Sequence, residues 1–225
     1  MTDDGKPCVL VSGGLDSAVA LAETARERGP ARPVFVRSGL AWEPAERYWL
    51  DRFLQTLPEG AVEPLVVLET PVADLYGEHW SVTGEDVPGA GSANEAVYLP
   101  GRNVLLLSKA GVFAAMEGCD ALVMGPLSSS PFPDATPEFF ETMGEALGRA
   151  MGREGPLAIE TPLAGLEKPD VIRRGSVLRL DLTFSCIDPV GRLHCGACNK
   201  CAERKEGFAE AGVEDATEYA ERVSG

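Results

Sequence analysis

Six consecutive residues near the start of the chain have the types and order needed to hold a phosphate chain. The run Ser12-Gly13-Gly14-Leu15-Asp16-Ser17 follows a short apolar segment and leads into residues 16–28, whose apolar positions recur at helical spacing. A strand, a glycine turn and a helix start together direct unpaired backbone N–H groups at an anion, which glycine lets approach closely. Ser12 and Ser17 add hydroxyl donors, and Asp16 is suited to the Mg²⁺ that accompanies a triphosphate. The run matches neither the Walker pattern nor the dinucleotide pattern, so it predicts another class of phosphate loop.

Four cysteines in the last part of the chain have the spacing of metal ligands. Cys195, Cys198 and Cys201 form a C-x-x-C-x-x-C run, and Cys186 precedes it closely. Two-residue gaps let successive thiolates point at one centre, and the fourth thiolate completes a tetrahedron with no open position, as in structural zinc sites. An iron–sulfur cluster is the alternative, because the same run occurs in ferredoxins. Disulfides are not expected, since they are rare in cytosolic proteins.

Composition and charge favour a cytoplasmic globular protein and leave room for a small-nucleotide ligand. The 225 residues are 44% hydrophobic and 24% charged, as in globular proteins, and no apolar run approaches the roughly 20 residues of a membrane span. Residues 1–6 lack the basic-then-apolar pattern of a signal peptide. The net charge of −15 argues against a nucleic-acid partner, which usually requires a basic face.

The order of apolar segments predicts an α/β fold with a parallel sheet. Short buried strands alternate with helical segments, which favours right-handed crossovers and helices on both faces of the sheet. Residues 74–98 lose this regularity and predict a long loop. In such a sheet residues 12–17 lie beyond the carboxyl ends of the strands, where ligands bind. The strands are expected at 9–11, 33–36, 65–68, 121–124 and 157–160. The helices are expected at 16–28, from Pro44, at 104–117, from Pro137, and as a brief segment that follows Glu167-Lys168-Pro169-Asp170 and stops at Gly175.

With both ends in view, the chain resembles the 7-cyano-7-deazaguanine synthase (QueC) family of PP-loop ATPases. The resemblance spans nearly the whole chain, and the combination of phosphate loop and cysteine knuckle is more specific than any single block. Four blocks carry it: residues 12–17; Pro100-Gly101-Arg102-Asn103; Pro133-Asp134 with Pro137-Glu138-Phe139, Thr161-Pro162-Leu163 and Lys168; and Cys186 with the run from His194 through Cys201 to Arg204-Lys205, Phe208 and Ala211-Gly212.

Two segments depart from the family pattern. Where the family usually has Tyr-Gly-Gln-Arg-His after its second strand, this chain has Arg37-Ser38-Gly39-Leu40-Ala41-Trp42. After the fourth strand the family typically has a longer polar stretch, replaced here by Pro126-Leu127-Ser128-Ser129-Ser130-Pro131-Phe132. In the family these segments lie near the substrate pocket and the subunit contact, so the departures concern the acceptor substrate rather than ATP.

The resemblance implies a PP-loop ATPase domain (adenine nucleotide alpha-hydrolase-like) over residues 1–180 and a C-terminal zinc-knuckle lobe over residues 181–225. It implies a ligase that forms AMP and pyrophosphate, with ATP, Mg²⁺ and Zn²⁺, and a homodimer. The reaction would convert 7-carboxy-7-deazaguanine and ammonia to 7-cyano-7-deazaguanine in the queuosine pathway, through acyl-adenylate and amide intermediates.

The residues assigned on this basis fall into four groups. Ser12, Asp16, Ser17, Arg102 and Lys168 are expected to be catalytic, the last two as fixed positive charges near the phosphates. Besides residues 12–17, Val11, Val36 and Gly125 are expected to contact ATP. Phe132, Asp134 and Glu138 are candidates for the heterocycle, and Cys186, Cys195, Cys198 and Cys201 for the metal.

Three other functions remain open at this point. The altered segments favour, as the first alternative, a related ligase that adenylates another carboxylate and stops at an amide with a different amine. The second is a regulator that binds nucleotide and zinc without catalysis. The third, a PP-loop enzyme that transfers sulfur to tRNA, is disfavoured by the net charge of −15.

Overall fold

A computed structural model describes residues 5–220; residues 1–4, part of the N-terminal segment considered above, and residues 221–225 lie outside the described residues. Within residues 5–220 five strands form one sheet in the order β3-β2-β1-β4-β5, and all four pairings are parallel. No helix of this part of the chain combines the length and apolar character needed to cross a membrane. The strands are β1 (Cys8–Leu10), β2 (Arg32–Arg37), β3 (Val66–Glu69), β4 (Ala121–Val123) and β5 (Ala158–Glu160); the helices are α1 (Leu15–Arg28), α2 (Glu43–Leu54), α3 (Ala73–Tyr76), α4 (Trp80–Thr83), α5 (Arg102–Met116), α6 (Pro137–Ala150), α7 (Lys168–Arg174) and α8 (Asn199–Ala211), with short 3₁₀ helices at Asn94–Val97, Pro133–Ala135 and Leu180–Leu182.

Helices cover both faces of the sheet, as the sequence predicts. Along β1 the side chains of Cys8 and Leu10 join one buried cluster and that of Val9 joins another, because successive strand residues point to opposite faces. Helices α5 and α6 contribute to the first cluster, whereas α1 and α2 contribute Leu21 and Leu50 to the second. Burial on both faces explains why the strands are short continuous apolar runs. The predicted α/β class and parallel sheet are confirmed.

The expectation of a long irregular loop at 74–98 is wrong for its first part. Helices α3 and α4 form there, and the α4 residue Trp80 stacks on Trp42 with ring centroids 5.6 Å apart. Apolar side chains of this region and the cysteines share one buried cluster. The backbone N–H of Asn199 also donates to the Pro88 carbonyl at 2.9 Å. Packing against the cysteine region therefore orders a segment whose sequence has little periodicity of its own.

A buried arginine joins α8 to the segment that precedes the cysteines. Arg204 is 2% exposed; it donates to the Leu180 carbonyl at 2.7 Å and to the Thr183 hydroxyl at 3.0 Å. Hydrogen bonds from a charged group contribute roughly 1.5–3 kcal/mol each, more than neutral ones. The same segment donates from the Phe184 N–H to the Gly13 carbonyl at 2.7 Å. The cysteine region is thus fixed directly against the glycine loop.

Candidate active site

The loop at residues 12–17 lies between β1 and α1 and is held by its own serines. The Ser12 N–H donates to the Ser17 hydroxyl at 3.1 Å, and that hydroxyl donates to the Gly14 carbonyl at 3.0 Å. Gly13 has φ +82°, and a Cβ at this residue would lie 2.8 Å from the Glu46 carbonyl oxygen. No side chain caps the start of α1, so its first N–H groups face the cleft unpaired. The loop therefore has the form of an anion cradle that only glycine allows.

Lys168 and Asp16, far apart in sequence, meet at the edge of this loop. The Lys168 Nζ atom lies 2.6 Å from an Asp16 oxygen and 3.1 Å from Glu203, which pairs with Lys200 at 2.5 Å. Burial lowers the pKa of Lys168, but Asp16 and Glu203 outweigh it and raise that pKa, so the ammonium stays charged. The other carboxylate oxygen of Asp16, Oδ1, is buried and has no hydrogen-bond partner among the described residues. An unpaired buried oxygen beside a phosphate loop fits a divalent cation.

Arg102 starts α5 and also borders the cleft. Its Nε is buried and has no partner within the described chain, as expected of a donor reserved for an anionic ligand. Arg102 borders two adjoining cavities, of about 310 and 230 Å³, which together contact the phosphate loop, the ends of the strands and α8. Seven of the residues predicted to bind ATP line the larger cavity: Val11, Ser12, Gly14, Asp16, Ser17, Val36 and Gly125.

The other assigned loop and strand residues have distinct places. Leu15 and the catalytic candidate Lys168 line the smaller cavity. Gly13 lies on the other side of the loop, packed against the backbone of Glu46. Gly125 follows β4, where a Cβ would lie 3.1 Å from the Asp16 carbonyl oxygen. The sequence predicts that Gly125 allows a nucleotide to approach; the structure adds that Gly125 allows β4 to approach the loop.

Two of the three heterocycle candidates, Phe132 and Asp134, line one small cavity of about 100 Å³ beside Arg102, whereas Glu138 lies apart from it. Phe132 lines the larger cavity and stacks on Tyr98 with ring centroids 5.1 Å apart. Asp134 is buried and its carboxylate accepts the backbone N–H of Asn103 at 3.0 Å, so it holds the first turn of α5. Glu138 is exposed in the first turn of α6 and borders neither of the two cavities. Substrate contact by these residues stays a prediction, with Phe132 the best placed.

The four cysteines converge on one buried centre. Their sulfur atoms all lie within 4.8 Å of one another, with Cys195–Cys201 at 3.9 Å and Cys186–Cys198 at 3.8 Å. A tetrahedral ion with metal–sulfur bonds of about 2.3 Å requires sulfurs about 3.8 Å apart. The backbone N–H groups of Cys195 and Asp188 donate to the Cys186 sulfur at 3.2 and 3.3 Å, which stabilises thiolate charge. The donor set fits one structural metal ion.

Two glutamates of α2 line the cleft and are not among the sequence candidates. The Glu43 carboxylate accepts the N–H groups of Ser38 and Gly39 at 2.6 and 2.8 Å, and so holds the loop after β2. Glu46 is 9% exposed and borders both cavities. Burial raises the pKa of Glu46 to about 8, although Arg102 lowers it. The sequence signal that could have identified Glu46 is an acidic residue on the apolar face of a helix, four residues after Trp42.

Comparisons with known proteins extend over almost the whole chain. The family model "Queuosine biosynthesis protein QueC" matches residues 6–212. Curated proteins named 7-cyano-7-deazaguanine synthase include those of Citrifermentans bemidjiense, 37% identical over 95% of this chain and 97% of that protein, and Dechloromonas aromatica, 38% identical over 95% and 98%. The protein of Syntrophobacter fumaroxidans is 35% identical over 95% and 96%.

Among solved structures, a 4-thiouridine synthetase in complex with RNA and bound ATP has a similar fold. Its TM-score is 0.50 at 18% identity, and the match covers 92% of this chain and 50% of that one. At this identity the likeness shows the fold alone.

Proposed function

The chain belongs to the QueC family, and from this membership and the geometry of the cleft we propose that it uses ATP to convert 7-carboxy-7-deazaguanine and ammonia to 7-cyano-7-deazaguanine. The names of the curated relatives favour this nitrile-forming reaction over an amide-forming ligase. The observation that carries the proposal is the glycine loop with unpaired N–H groups, flanked by Lys168 and by the unpartnered Asp16 Oδ1 and Arg102 Nε.

The first step captures the substrate acid on the α-phosphorus. A carboxylate oxygen forms a bond to that phosphorus while the bond to the β-phosphate breaks and pyrophosphate leaves. The N–H groups at the start of α1 and the hydroxyls of Ser12 and Ser17 bind the leaving phosphates. Lys168 and Arg102 add fixed positive charge, which is the main demand of phosphoryl chemistry. Asp16 would hold the Mg²⁺, whose charge neutralises the phosphate oxygens.

The later steps reuse the same cleft. Ammonia displaces AMP from the acyl-adenylate and leaves an amide, whose oxygen is adenylated by a second ATP before AMP departs and the nitrile forms. Val36 and Gly125 border the cavity at the carboxyl ends of the strands, where adenosine would lie. Phe132 offers an aromatic face to the heterocycle.

For the cysteine centre we propose zinc. The four thiolates of a 4Fe–4S cluster bind four different irons, and those of a 2Fe–2S cluster bind two, so either cluster spreads the set of sulfurs apart. The four sulfurs here lie within 4.8 Å of one another, as around a single ion. We also propose that residues 1–180 form the nucleotide-binding domain and residues 181–225 the metal lobe, in a cytoplasmic homodimer. Size-exclusion chromatography with light scattering tests the dimer, and elemental analysis tests the metal.

The test of the reaction is direct. Purified protein is incubated with ATP, Mg²⁺, ammonium and 7-carboxy-7-deazaguanine, and the products are identified by mass spectrometry. We expect nitrile, AMP and pyrophosphate, with about two ATP consumed per nitrile, as the two adenylations require. Amide alone would support the amide-forming alternative, and ADP as the nucleotide product would refute the proposed chemistry.

A further inference from the structure

Glu46 differs from every other acidic residue that borders the smaller cavity. Asp16 and Glu203 pair with lysines at 2.6 Å and 3.1 Å. By contrast, within residues 5–220 no lysine or arginine nitrogen lies within 4.0 Å of the Glu46 carboxylate. The residue is 9% exposed, and its side chain has a hydrogen bond from the neutral indole of Trp42 rather than an ion pair. A buried carboxyl group at a cleft without a cationic partner is costly, and it indicates a site for a cationic or donor ligand.

The position of Glu46 places that ligand next to the reacting atoms. Glu46 borders both cavities, and each of them also contacts Ser12, Gly14 and Asp16 of the phosphate loop. The backbone carbonyl oxygen of Glu46 lies against Gly13 and leaves no room for a Cβ on this loop residue. The carboxyl group therefore lies at the junction of the two cavities, on the phosphate side of the cleft. With the leaving phosphates in this loop, the adjacent α-phosphate and the acyl group attached to it would lie at this junction.

The surrounding charges suit a small cation that must give up a proton. Burial raises the pKa of Glu46 to about 8; the charge of Arg102 and a hydrogen bond from the neutral Trp42 lower that pKa, and the charge of Glu43 raises it. The smaller cavity also has Asp16, Lys168, Lys200, Glu203 and Arg204 on its walls, and the first four form ion pairs with one another. A carboxylate with a pKa near neutrality is a stronger proton acceptor than an exposed one and can still release the proton.

We propose that Glu46 is the catalytic residue that binds ammonium and deprotonates it for attack on the acyl-adenylate. This inference rests on the proposed function and names the site of its nitrogen substrate. One N–H proton passes to a Glu46 oxygen and leaves neutral ammonia, whose lone pair forms the C–N bond. The C–O bond to AMP breaks, AMP leaves with the electron pair, and the second nitrogen proton leaves on the AMP phosphate. Glu46 then returns its proton to solvent.

The experiment separates adenylation from nitrogen transfer. Acid-dependent exchange of labelled pyrophosphate into ATP reports adenylation and requires no ammonia. Product formation is then compared for ammonium and for hydroxylamine, which is already neutral at physiological pH and needs no base. For Glu46→Gln we expect exchange within about threefold of wild type, a loss of about 10²–10⁴-fold in kcat/KM for ammonium, and hydroxamate formation changed by less than about tenfold. The control Asp51→Asn, an exposed pair to Arg47 on the same helix, should change none of the three.

Each outcome decides the inference. If ammonium- and hydroxylamine-dependent rates fall together, Glu46 is not a base and the inference is wrong. If exchange is lost and the KM of the acid rises, Glu46 binds the heterocycle instead. Glu46→Asp keeps a carboxylate, so it should recover part of the ammonium-specific rate; no recovery in a folded Glu46→Asp also overturns the inference. Absence of exchange in the wild-type protein would refute the proposed function itself, a result that the variants cannot imitate.

Discussion

Replacing Gly13 by alanine tests whether the loop has to be as tight as the structure shows. With φ at +82°, an L-residue at this position costs about 1–2 kcal/mol. The new Cβ would also lie 2.8 Å from the Glu46 carbonyl oxygen, so α2 or the loop must move, and such overpacking costs about 1–3 kcal/mol. We expect Gly13→Ala to lower the free energy of unfolding by about 2–5 kcal/mol in urea denaturation. Pyrophosphate exchange should fall by at least about 100-fold, because the loop N–H groups are displaced.

Gly118→Ala is the matched control for this variant. Gly118 has φ +69° and is exposed, and a Cβ on this residue would have no other atom within 4 Å. It therefore carries the backbone strain without the contact, and any effect of alanine on the unfolded chain is common to both variants. We expect a loss of about 1–2 kcal/mol in stability and unchanged exchange. Equal effects of the two substitutions on stability and exchange would refute the argument that Glu46 limits the loop.

Three further predictions concern the charged groups and the metal. Lys168→Met should reduce pyrophosphate exchange by about 10²–10³-fold, because the leaving phosphates lose a fixed positive charge. The control is Lys205→Met, which changes a lysine on the exposed surface of α8. Equal exchange rates in the two variants would exclude Lys168 from the site. Cys195→Ser should lose the bound metal and melt at a lower temperature than wild type, as measured by elemental analysis and circular dichroism; a metal-free variant that melts like wild type would contradict a structural centre. Burial raises the pKa of Glu46 from 4.5 to about 8, so the folded state binds this proton more tightly than the unfolded state does. The protonated carboxyl group therefore contributes its full stability below pH 4.5, and this contribution is lost as the pH rises towards 8. Relative to wild type, Glu46→Gln should therefore gain roughly 3 kcal/mol in urea denaturation between about pH 5 and pH 8, and no gain would show that the carboxyl group titrates normally.

The elements of the sheet are accessible from sequence because their signals are local. Strands buried on both faces are continuous apolar runs, and the predicted strand at 121–124 differs from β4 (Ala121–Val123) by one residue. The phosphate loop at 12–17 is equally clear, since the glycines and the helix start are adjacent in the chain. Helices α3 and α4 escape sequence reasoning because packing against the cysteine region, which is remote in sequence, orders them.

Pairings across the cleft are not accessible in the same way. The sequence assigns Lys168 a positive charge near phosphate, but its contacts with Asp16 and Glu203 depend on how α1, α7 and α8 meet. It assigns Asp134 to the heterocycle, whereas the visible contact of Asp134 is with the backbone of α5, a common use of aspartate that a motif does not reveal. Glu46 has no motif at all, and only its burial beside two cavities distinguishes it from a surface glutamate.

The bond from the Phe184 N–H to the Gly13 carbonyl has a consequence for biosynthesis of the protein. During translation the phosphate loop leaves the ribosome first, yet the residue that braces it, together with Lys168 and Glu203, is made only after most of the chain. A nascent polypeptide therefore cannot complete its candidate nucleotide site until its cysteine region has emerged; on the proposed zinc binding, that region also needs its metal in order to fold. Under zinc starvation we expect unfinished sites that leave ATP intact, rather than idle hydrolysis by partly folded chains.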